Sequence, residues 1–254
     1  MLSESLRKYH DAVFVVTAPG FTKRQESATF QLGEGNFEFI YGINKATTSK
    51  EELLAKGIYD EQRAIEIDRS SKAMTLGHIC CSIGHASAYR RMIDHGINRA
   101  LIFEDDVSAL SVDESRITEI LGSLPADNQL VYWGYWLGHE RRPWYAPLKQ
   151  AVYKLQHSVG ALKYDHVMID NLYPREHNEH FMVAGKHFGA YAYSLTNDAA
   201  KILLEWNTPV VLNADNALMY AVLNGDIRGY VSRQKLFEEH SQGRPGTIES
   251  LVQT

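Results

Sequence analysis

A run of four apolar residues that leads directly into three carboxylates constrains this chain more than any other stretch. Residues 100–103 read Ala, Leu, Ile and Phe, and Glu104, Asp105 and Asp106 follow them without a break. The apolar run predicts a buried strand, because such strands are short, continuous and hydrophobic. Three adjacent acids repel one another and are costly to desolvate, so folding alone does not require them. We therefore expect this strand to end where its acids meet water, a cation or a cationic partner.

The end of a strand is also where a ligand is expected. Open α/β sheets bind their ligands outside the carboxyl ends of the strands. A hard divalent cation takes oxygen ligands, commonly one or two carboxylates together with the phosphate groups of a substrate. The sequence therefore predicts a Mg²⁺ or Mn²⁺ site that serves a phosphorylated substrate.

Strand and helix patterns alternate along most of the chain, which favours an α/β fold built from βαβ units. The helix that precedes the acidic strand has Thr75 as its expected N-cap and Gly96 as its expected stop. At 254 residues the chain is long enough for one such domain, so we expect a single domain over residues 1–254. Other strands are expected at residues 12–16, 37–41, 129–134 and 189–194.

The pattern weakens over residues 135–186, where Trp, Tyr and His are frequent and apolar periodicity is low. We expect an irregular insert here. Two readings stay open for it. It forms an acceptor-binding surface, since sugars stack on aromatic faces, or it is a packed excursion without a direct role.

Charge and cysteine content narrow the class of protein. The formal net charge is −5 and no Lys/Arg-rich run is present, which argues against nucleic-acid binding. Cys80 and Cys81 are adjacent and no CxxC pair occurs, so a reducing compartment is expected. The N-terminal residues lack the apolar core of a signal peptide, and no later stretch predicts a membrane span. We expect a cytoplasmic protein that at most contacts a membrane surface.

Several single residues have two readings on sequence grounds. His78 and His85 are seven apart on the expected helix, too far to chelate one ion, and are most simply packing or surface residues. Asp215 lies near the start of a helix expected over residues 217–223. It either complements the helix dipole or acts as a general base at the mouth of the sheet. The basic tail, which includes His240 and Arg244, is a candidate to fold over a diphosphate.

Residues 76–85, Ala88, Tyr89 and residues 100–107 together resemble the signature of glycosyltransferase family 25. That family contains the lipooligosaccharide galactosyltransferases of bacteria and is related to the collagen galactosyltransferases. Its members typically read Gly-Glu-Ile-Gly-Cys-x-x-Ser-His, then a helix, then Leu-Glu-Asp-Asp-Val. The chain departs from this pattern with His at 78, Cys at 80 and Gly at 84. The resemblance extends over residues 12–134 and more loosely over 187–248.

The resemblance implies a GT-A-like fold, a Rossmann-type and mostly parallel sheet that binds a nucleotide sugar, with a DxD-like motif at a strand end. Asp106 is expected as the principal metal ligand and Glu104 as a second, while Asp105 contacts the sugar or ribose. This division assumes that side chains alternate along an extended strand end. His240 is a further candidate metal or phosphate ligand. The expected donor-binding residues are Thr17, Ala18, Lys23, Arg24, His85, Glu104 and Asp105.

The implied reaction is an inverting, metal-dependent transfer of a hexose, most simply galactose from UDP-galactose, to a core sugar of a lipopolysaccharide or lipooligosaccharide. Asp215 is the expected catalytic base, and Mn²⁺ or Mg²⁺ the expected cofactor. The acceptor is lipid-linked, so peripheral contact with the inner membrane is expected. Alternatives are a UDP-glucose or UDP-N-acetylhexosamine donor, a non-catalytic carbohydrate-binding protein of the same fold and, more distantly, a metal-dependent phosphohydrolase.

Overall fold

The computed structural model of the protein describes residues 1–68 and 71–240, in which ten strands and ten α-helices form. The strands are β1 Ala12–Thr17, β2 Glu38–Tyr41, β3 Arg99–Glu104, β4 Val107–Ala109, β5 Leu130–Tyr132, β6 Arg175–Glu176, β7 Phe181–Val183, β8 Ala192–Thr196, β9 Gly229–Ser232 and β10 Phe237–Glu239. The helices are α1 Glu4–Tyr9, α2 Thr22–Leu32, α3 Lys50–Ala55, α4 Glu61–Ile67, α5 Leu76–Asp94, α6 Glu114–Gly122, α7 Ala146–Ser158, α8 His166–Asp170, α9 Asn197–Trp206 and α10 Ala214–Asn224. Among these helices, none combines the length and the apolar character that crossing a bilayer requires.

Eight of the strands form one central sheet with the order β2-β1-β3-β8-β5-β9-β7-β6. Strands β7 and β8 run against the other six, so the sheet is mostly parallel in direction. A small antiparallel pair, β4 with β10, lies beside it. Helices flank the sheet in one mixed α/β domain, and the Rossmann-like, GT-A-like fold expected from the sequence is confirmed.

Strands β1 and β3 lie side by side and anchor the core on both faces of the sheet. They are parallel, with Phe14 opposite Ile102. Alternate side chains of a strand point to opposite faces. Phe14 and Ile102 accordingly join the apolar cluster that includes Ile79 and Met92 of α5. Their neighbours along the strands join a second cluster with residues of α1, α2 and α6. Continuous burial on both faces explains why these strands are uninterrupted apolar runs.

Helix α5 is the longest helix in the described residues and packs close to the strand ends. Its N-cap is Thr75, whose hydroxyl accepts from the amide of His78 at 3.2 Å, as the sequence predicted. A Cβ atom added at Gly84 would lie 2.6 Å from Cγ1 of Val16, so the absence of a side chain allows α5 to approach β1. The Ser82 hydroxyl donates to the carbonyl of Leu212 at 3.0 Å. The helix thereby joins β1 to the segment that precedes α10.

The prediction of an irregular insert over residues 135–186 is wrong for part of that range. It contains α7, α8 and the edge strands β6 and β7. The two strands have only two and three residues, too short for alternation to be visible in sequence. Helix α7 does repeat apolar residues at helical spacing, but they face solvent, as described below. Residues 135–145 form the longest irregular stretch of this range, apart from one isolated bridge at Leu137, and shorter irregular segments join the helices and strands that follow.

Candidate functional site

The carboxyl ends of β1 and β3 open into a cavity bordered by the first half of α5. Val16 pairs with Glu104 in the sheet register, so the two parallel strands end at the same edge. The cavity has an empty volume of about 530 Å³, part of it continuous with solvent. Its polar and charged lining comes from Thr17, Arg24, Lys45, Glu104 and Asp105. The acidic triplet therefore lies where ligands of α/β sheets bind.

One guanidinium bridges two acids of the triplet. Nη1 of Arg24 lies 3.0 Å from Oδ1 of Asp105, and Nη2 contacts Oδ2 of Asp106. Oδ2 of Asp105 accepts from the Thr17 hydroxyl at 2.6 Å. Burial raises the pKa of Asp105, although Arg24 and Thr17 oppose that effect. Burial alone would lower the pKa of Arg24, but the negative charges of Asp106 and Asp105 outweigh that effect. The pKa of Arg24 is therefore raised, and the guanidinium stays charged.

The expectation that Asp105 and Asp106 point to opposite sides is wrong. Strand β3 ends at Glu104, and Asp105 and Asp106 form the turn that leads into β4. Side chains alternate only while the backbone is extended. In the turn both aspartates reach the same guanidinium of Arg24, which lies on α2. Glu104 is the acid that stands apart.

Glu104 meets a buried group of side chains from α5. Its Oε1 is 3.3 Å from Nε2 of His85 and 3.9 Å from Sγ of Cys81, and the three groups lie within 4.8 Å of one another. Nδ1 of His85 is 2.7 Å from the hydroxyl of Tyr193. Burial lowers the pKa of His85 to about 3, so the ring is neutral at ordinary pH. His85 lies behind Glu104 and is absent from the cavity lining described above.

Cys81 is a member of this group that sequence reasoning missed. Burial raises the pKa of its thiol well above the usual value. The available signal was its spacing of four residues from His85, which places both side chains on one face of a helix.

Asp215 lies in the first turn of α10 but does not cap it. The cap is Asn213, whose side chain accepts from the amide of Asn216 at 2.8 Å. The Asp215 carboxylate instead accepts from the amide of Ala190 at 2.7 Å and from the indole of Trp136 at 3.5 Å. Burial raises the pKa of Asp215, against these hydrogen bonds. The side chain is therefore directed away from its own helix amides.

The acids of this region form one electrostatic group that suits a cation. Burial raises the pKa of Glu104 well above its ordinary value, and Asp106, Asp215 and Glu239 raise it further. The guanidinium of Arg24 offsets only part of this charge. Hard divalent cations prefer carboxylate oxygen, so the donor set fits Mg²⁺ or Mn²⁺. The group arises from three places in the chain, namely the triplet, the start of α10 and the end of β10.

The remaining candidates lie at varied distances from the cavity. Thr17 and Ala18 line it, whereas Lys23 is exposed and is not part of the lining. The amide of His240 donates to the carbonyl of Asp106 at 2.7 Å, which places the start of the tail beside the triplet. Arg244 lies outside the described residues. Lys45 lines the cavity from the turn after β2, a position that carries no sequence signal.

Comparison with known proteins agrees with this geometry. The family model described as glycosyltransferase family 25 (LPS biosynthesis protein) matches residues 17–218. That range begins at Thr17 in the cavity and includes Arg24, the acidic triplet and Asp215. Among curated proteins, no relative was found. Because the match spans most of the chain and includes the site residues from Thr17 to Asp215, the protein belongs to glycosyltransferase family 25 and is a glycosyltransferase.

Proposed function

We propose that the protein transfers a hexose, galactose from UDP-galactose, to a core sugar of a lipopolysaccharide or lipooligosaccharide. The observation that carries this proposal is the meeting of a cavity at the strand ends with the cluster of Glu104, Asp106 and Asp215. A nucleotide sugar needs a cavity beside a site for its diphosphate, and an acceptor needs a base. The family description places its members in lipopolysaccharide biosynthesis, which supports a glycan acceptor that is lipid-linked at the cytoplasmic face of the inner membrane.

The donor is expected to occupy the cavity between β1 and α5. Thr17 and Ala18 line it at the end of β1, and Lys45 brings an ammonium group to the same space. Asp105 is held by Thr17 and Arg24, which fix its carboxylate, and we assign that carboxylate to a hydroxyl of the sugar or ribose. A fixed acceptor oxygen of this kind orients a hydroxyl without loss of side-chain entropy on binding.

Glu104 and Asp106 would hold the divalent cation. When bound, the cation supplies positive charge that stabilises the departing diphosphate. Arg24 contacts the Asp106 carboxylate directly and fixes its position, the role that supporting groups have around metal ligands. Arg24 is thereby assigned to positioning the acids and is not expected to hold the nucleotide itself.

Asp215 is proposed as the base. It accepts the proton of the acceptor hydroxyl while that oxygen bonds to the anomeric carbon and the bond from this carbon to the diphosphate breaks. Attack opposite the leaving group inverts the anomeric configuration. The indole of Trp136 is half exposed and lies beside Asp215, where it offers an aromatic face to an acceptor sugar.

The proposal is tested by assaying transfer from UDP-galactose, UDP-glucose and UDP-N-acetylhexosamines to a core oligosaccharide with Mn²⁺, followed by NMR of the product linkage. We expect galactose transfer with inversion, and loss of that transfer in Asp106→Asn. Asp113→Asn is the matched control, because the Asp113 side chain makes no capping hydrogen bond to α6. Near-UV circular dichroism checks that both variants fold. Transfer that persists in Asp106→Asn, or that a chelator leaves unchanged, would contradict the metal assignment.

A further inference from the structure

Helix α7 presents its apolar side chains to solvent. Leu148 and Leu155 are 70% and 67% exposed, and Val152 and Val159 are exposed as well. Their spacings of four, three and four residues place all four on one face of the helix. We call this face, with Trp144, the α7 stripe. A contiguous exposed apolar patch of this kind marks an interaction surface.

The inward face of the same helix is polar at its centre. Ala146 and Gln150 are buried, and the Gln150 amide donates to the carbonyl of Ile169 at 2.7 Å. The Gln150 carbonyl oxygen accepts from Arg142 at 3.0 Å. These bonds fix the rotation of α7 on the domain, so the apolar residues are held outwards. Packing among the residues that the structure describes therefore leaves the α7 stripe unexplained.

An aromatic residue extends the stripe at the start of the helix. Trp144 is 90% exposed and stands edge-on to Tyr145, with ring centroids 5.9 Å apart. Trp and Tyr are enriched at membrane interfaces, where an apolar ring and a polar tip meet the headgroup region. The composition of the α7 stripe is thus the one that interfacial helices use.

The segment of the chain that contains the stripe has a net charge opposite in sign to that of the protein. Residues 140–163 contain five Lys or Arg and one acid, a net charge of +4, whereas the whole chain carries −5. Arg141 and Lys149 are exposed, and Lys149 lies over the Tyr145 ring. The pairing of Lys154 with Asp170 offsets one of these charges. Basic residues beside an apolar helix face are attracted to anionic lipid.

We propose that the α7 stripe docks the protein on the surface of an anionic bilayer, with α7 lying in the plane of the interface. The stripe is close along the chain to the candidate functional site. Trp136, whose indole donates to Asp215, lies eight residues before Trp144. The purpose of docking, which is to bring the protein to a lipid-linked acceptor, rests on the proposed function. The docking itself requires neither donor nor acceptor.

Vesicle flotation of the purified protein tests the proposal without any sugar substrate. We expect flotation with phosphatidylglycerol-containing vesicles and not with pure phosphatidylcholine vesicles. The double variant Leu148→Glu/Leu155→Glu should bind vesicles at least about tenfold more weakly. It removes apolar area that the bilayer would bury and adds negative charge beside an anionic surface. Phe30→Glu is the matched control, because Phe30 is 82% exposed on a different helix, α2. Arg141→Glu/Lys149→Glu should also weaken binding, and salt should weaken that of the wild type.

Tryptophan emission gives an independent readout. Trp144 should shift to shorter wavelength when anionic vesicles are added, and Trp144→Phe should remove that shift. Equal flotation of the wild type and the Leu148→Glu/Leu155→Glu variant would overturn the proposal. A second result would also overturn it. If the wild type does not bind vesicles, and sedimentation velocity shows that it forms a dimer which this variant does not form, the stripe is the contact surface for a second copy of the chain. UDP-sugar binding, measured separately, reports on the proposed function alone.

Discussion

Replacing Asp215 with Asn lowers the rate of sugar transfer by about 10²- to 10⁴-fold, the contribution of a positioned general base, and leaves donor binding intact. The amide oxygen of the variant still accepts from the amide of Ala190, which bonds to one carboxylate oxygen at 2.7 Å, and only the longer 3.5 Å contact of the other oxygen with the indole of Trp136 is lost. What the amide cannot do is take up the proton of the acceptor hydroxyl. Steady-state kinetics, with donor binding measured by calorimetry, separates these two effects.

The matched control is Asp198→Asn. Asp198 is the acid in the first turn of α9, as Asp215 is in α10, but it is exposed and paired with Lys201. An acid that serves only the helix dipole affects stability by about 0.3–1 kcal/mol and leaves turnover unchanged. We expect this of Asp198→Asn. Full turnover in Asp215→Asn would show that Asp215 has only the dipole role as well.

The pH dependence of transfer also tests the assignment of Asp215 as the base. Burial raises the pKa of Asp215 above its ordinary value of 3.8, and a base must be deprotonated to act. Transfer should therefore fall as pH is lowered through this raised pKa, at a pH above that of an exposed aspartate. Residual transfer by Asp215→Asn should lack this acid limb.

Replacing Arg24 with Met lowers the free energy of unfolding by about 3–5 kcal/mol, the cost of removing one partner of a buried ion pair. The guanidinium is buried and contacts both Asp105 and Asp106, so its loss leaves two carboxylates without their cation. Urea denaturation measures the change. The loss should shrink when Asp106→Asn is added, because one uncompensated charge is then removed.

Lys23→Met is the control for this variant. Lys23 precedes Arg24 on α2 but is exposed, and surface substitutions of this type change stability by about 0.5 kcal/mol or less. Equal effects at the two positions would show that the bridge to the acids contributes little. A larger effect at Arg24 supports its role as the residue that positions the acidic turn.

Local signals were sufficient to predict the frame of the site. Strands β1 and β3 are continuous apolar runs because both faces of the sheet are covered, and that pattern is visible in sequence. Helix α5 was predicted with its N-cap, since Thr75 caps by a local hydrogen bond. The position of Glu104, Asp105 and Asp106 at a strand end followed from the abrupt change from apolar to acidic residues.

Features that depend on tertiary packing could not be read in the same way. Arg24 lies about 80 residues before the acids it bridges, and nothing local to α2 marks its partners. Strand β8 lies between β3 and β5 and runs antiparallel to both, an arrangement that depends on the topology of the whole sheet. The alternation assumed for the triplet failed because the strand ends at Glu104, two residues before the end of the triplet.

The most direct test of the account is the thermal unfolding midpoint measured with UDP-galactose in the presence and absence of Mn²⁺. A ligand at 100 times its Kd stabilises the folded state by about 2.7 kcal/mol, which for a chain of this size raises Tm by about 5–10 °C. We predict that UDP-galactose produces such a shift with Mn²⁺ and little or none without it. No shift with any UDP-sugar in the presence of Mn²⁺, or an equal shift without metal, would contradict a metal-dependent nucleotide-sugar site at the carboxyl ends of β1 and β3.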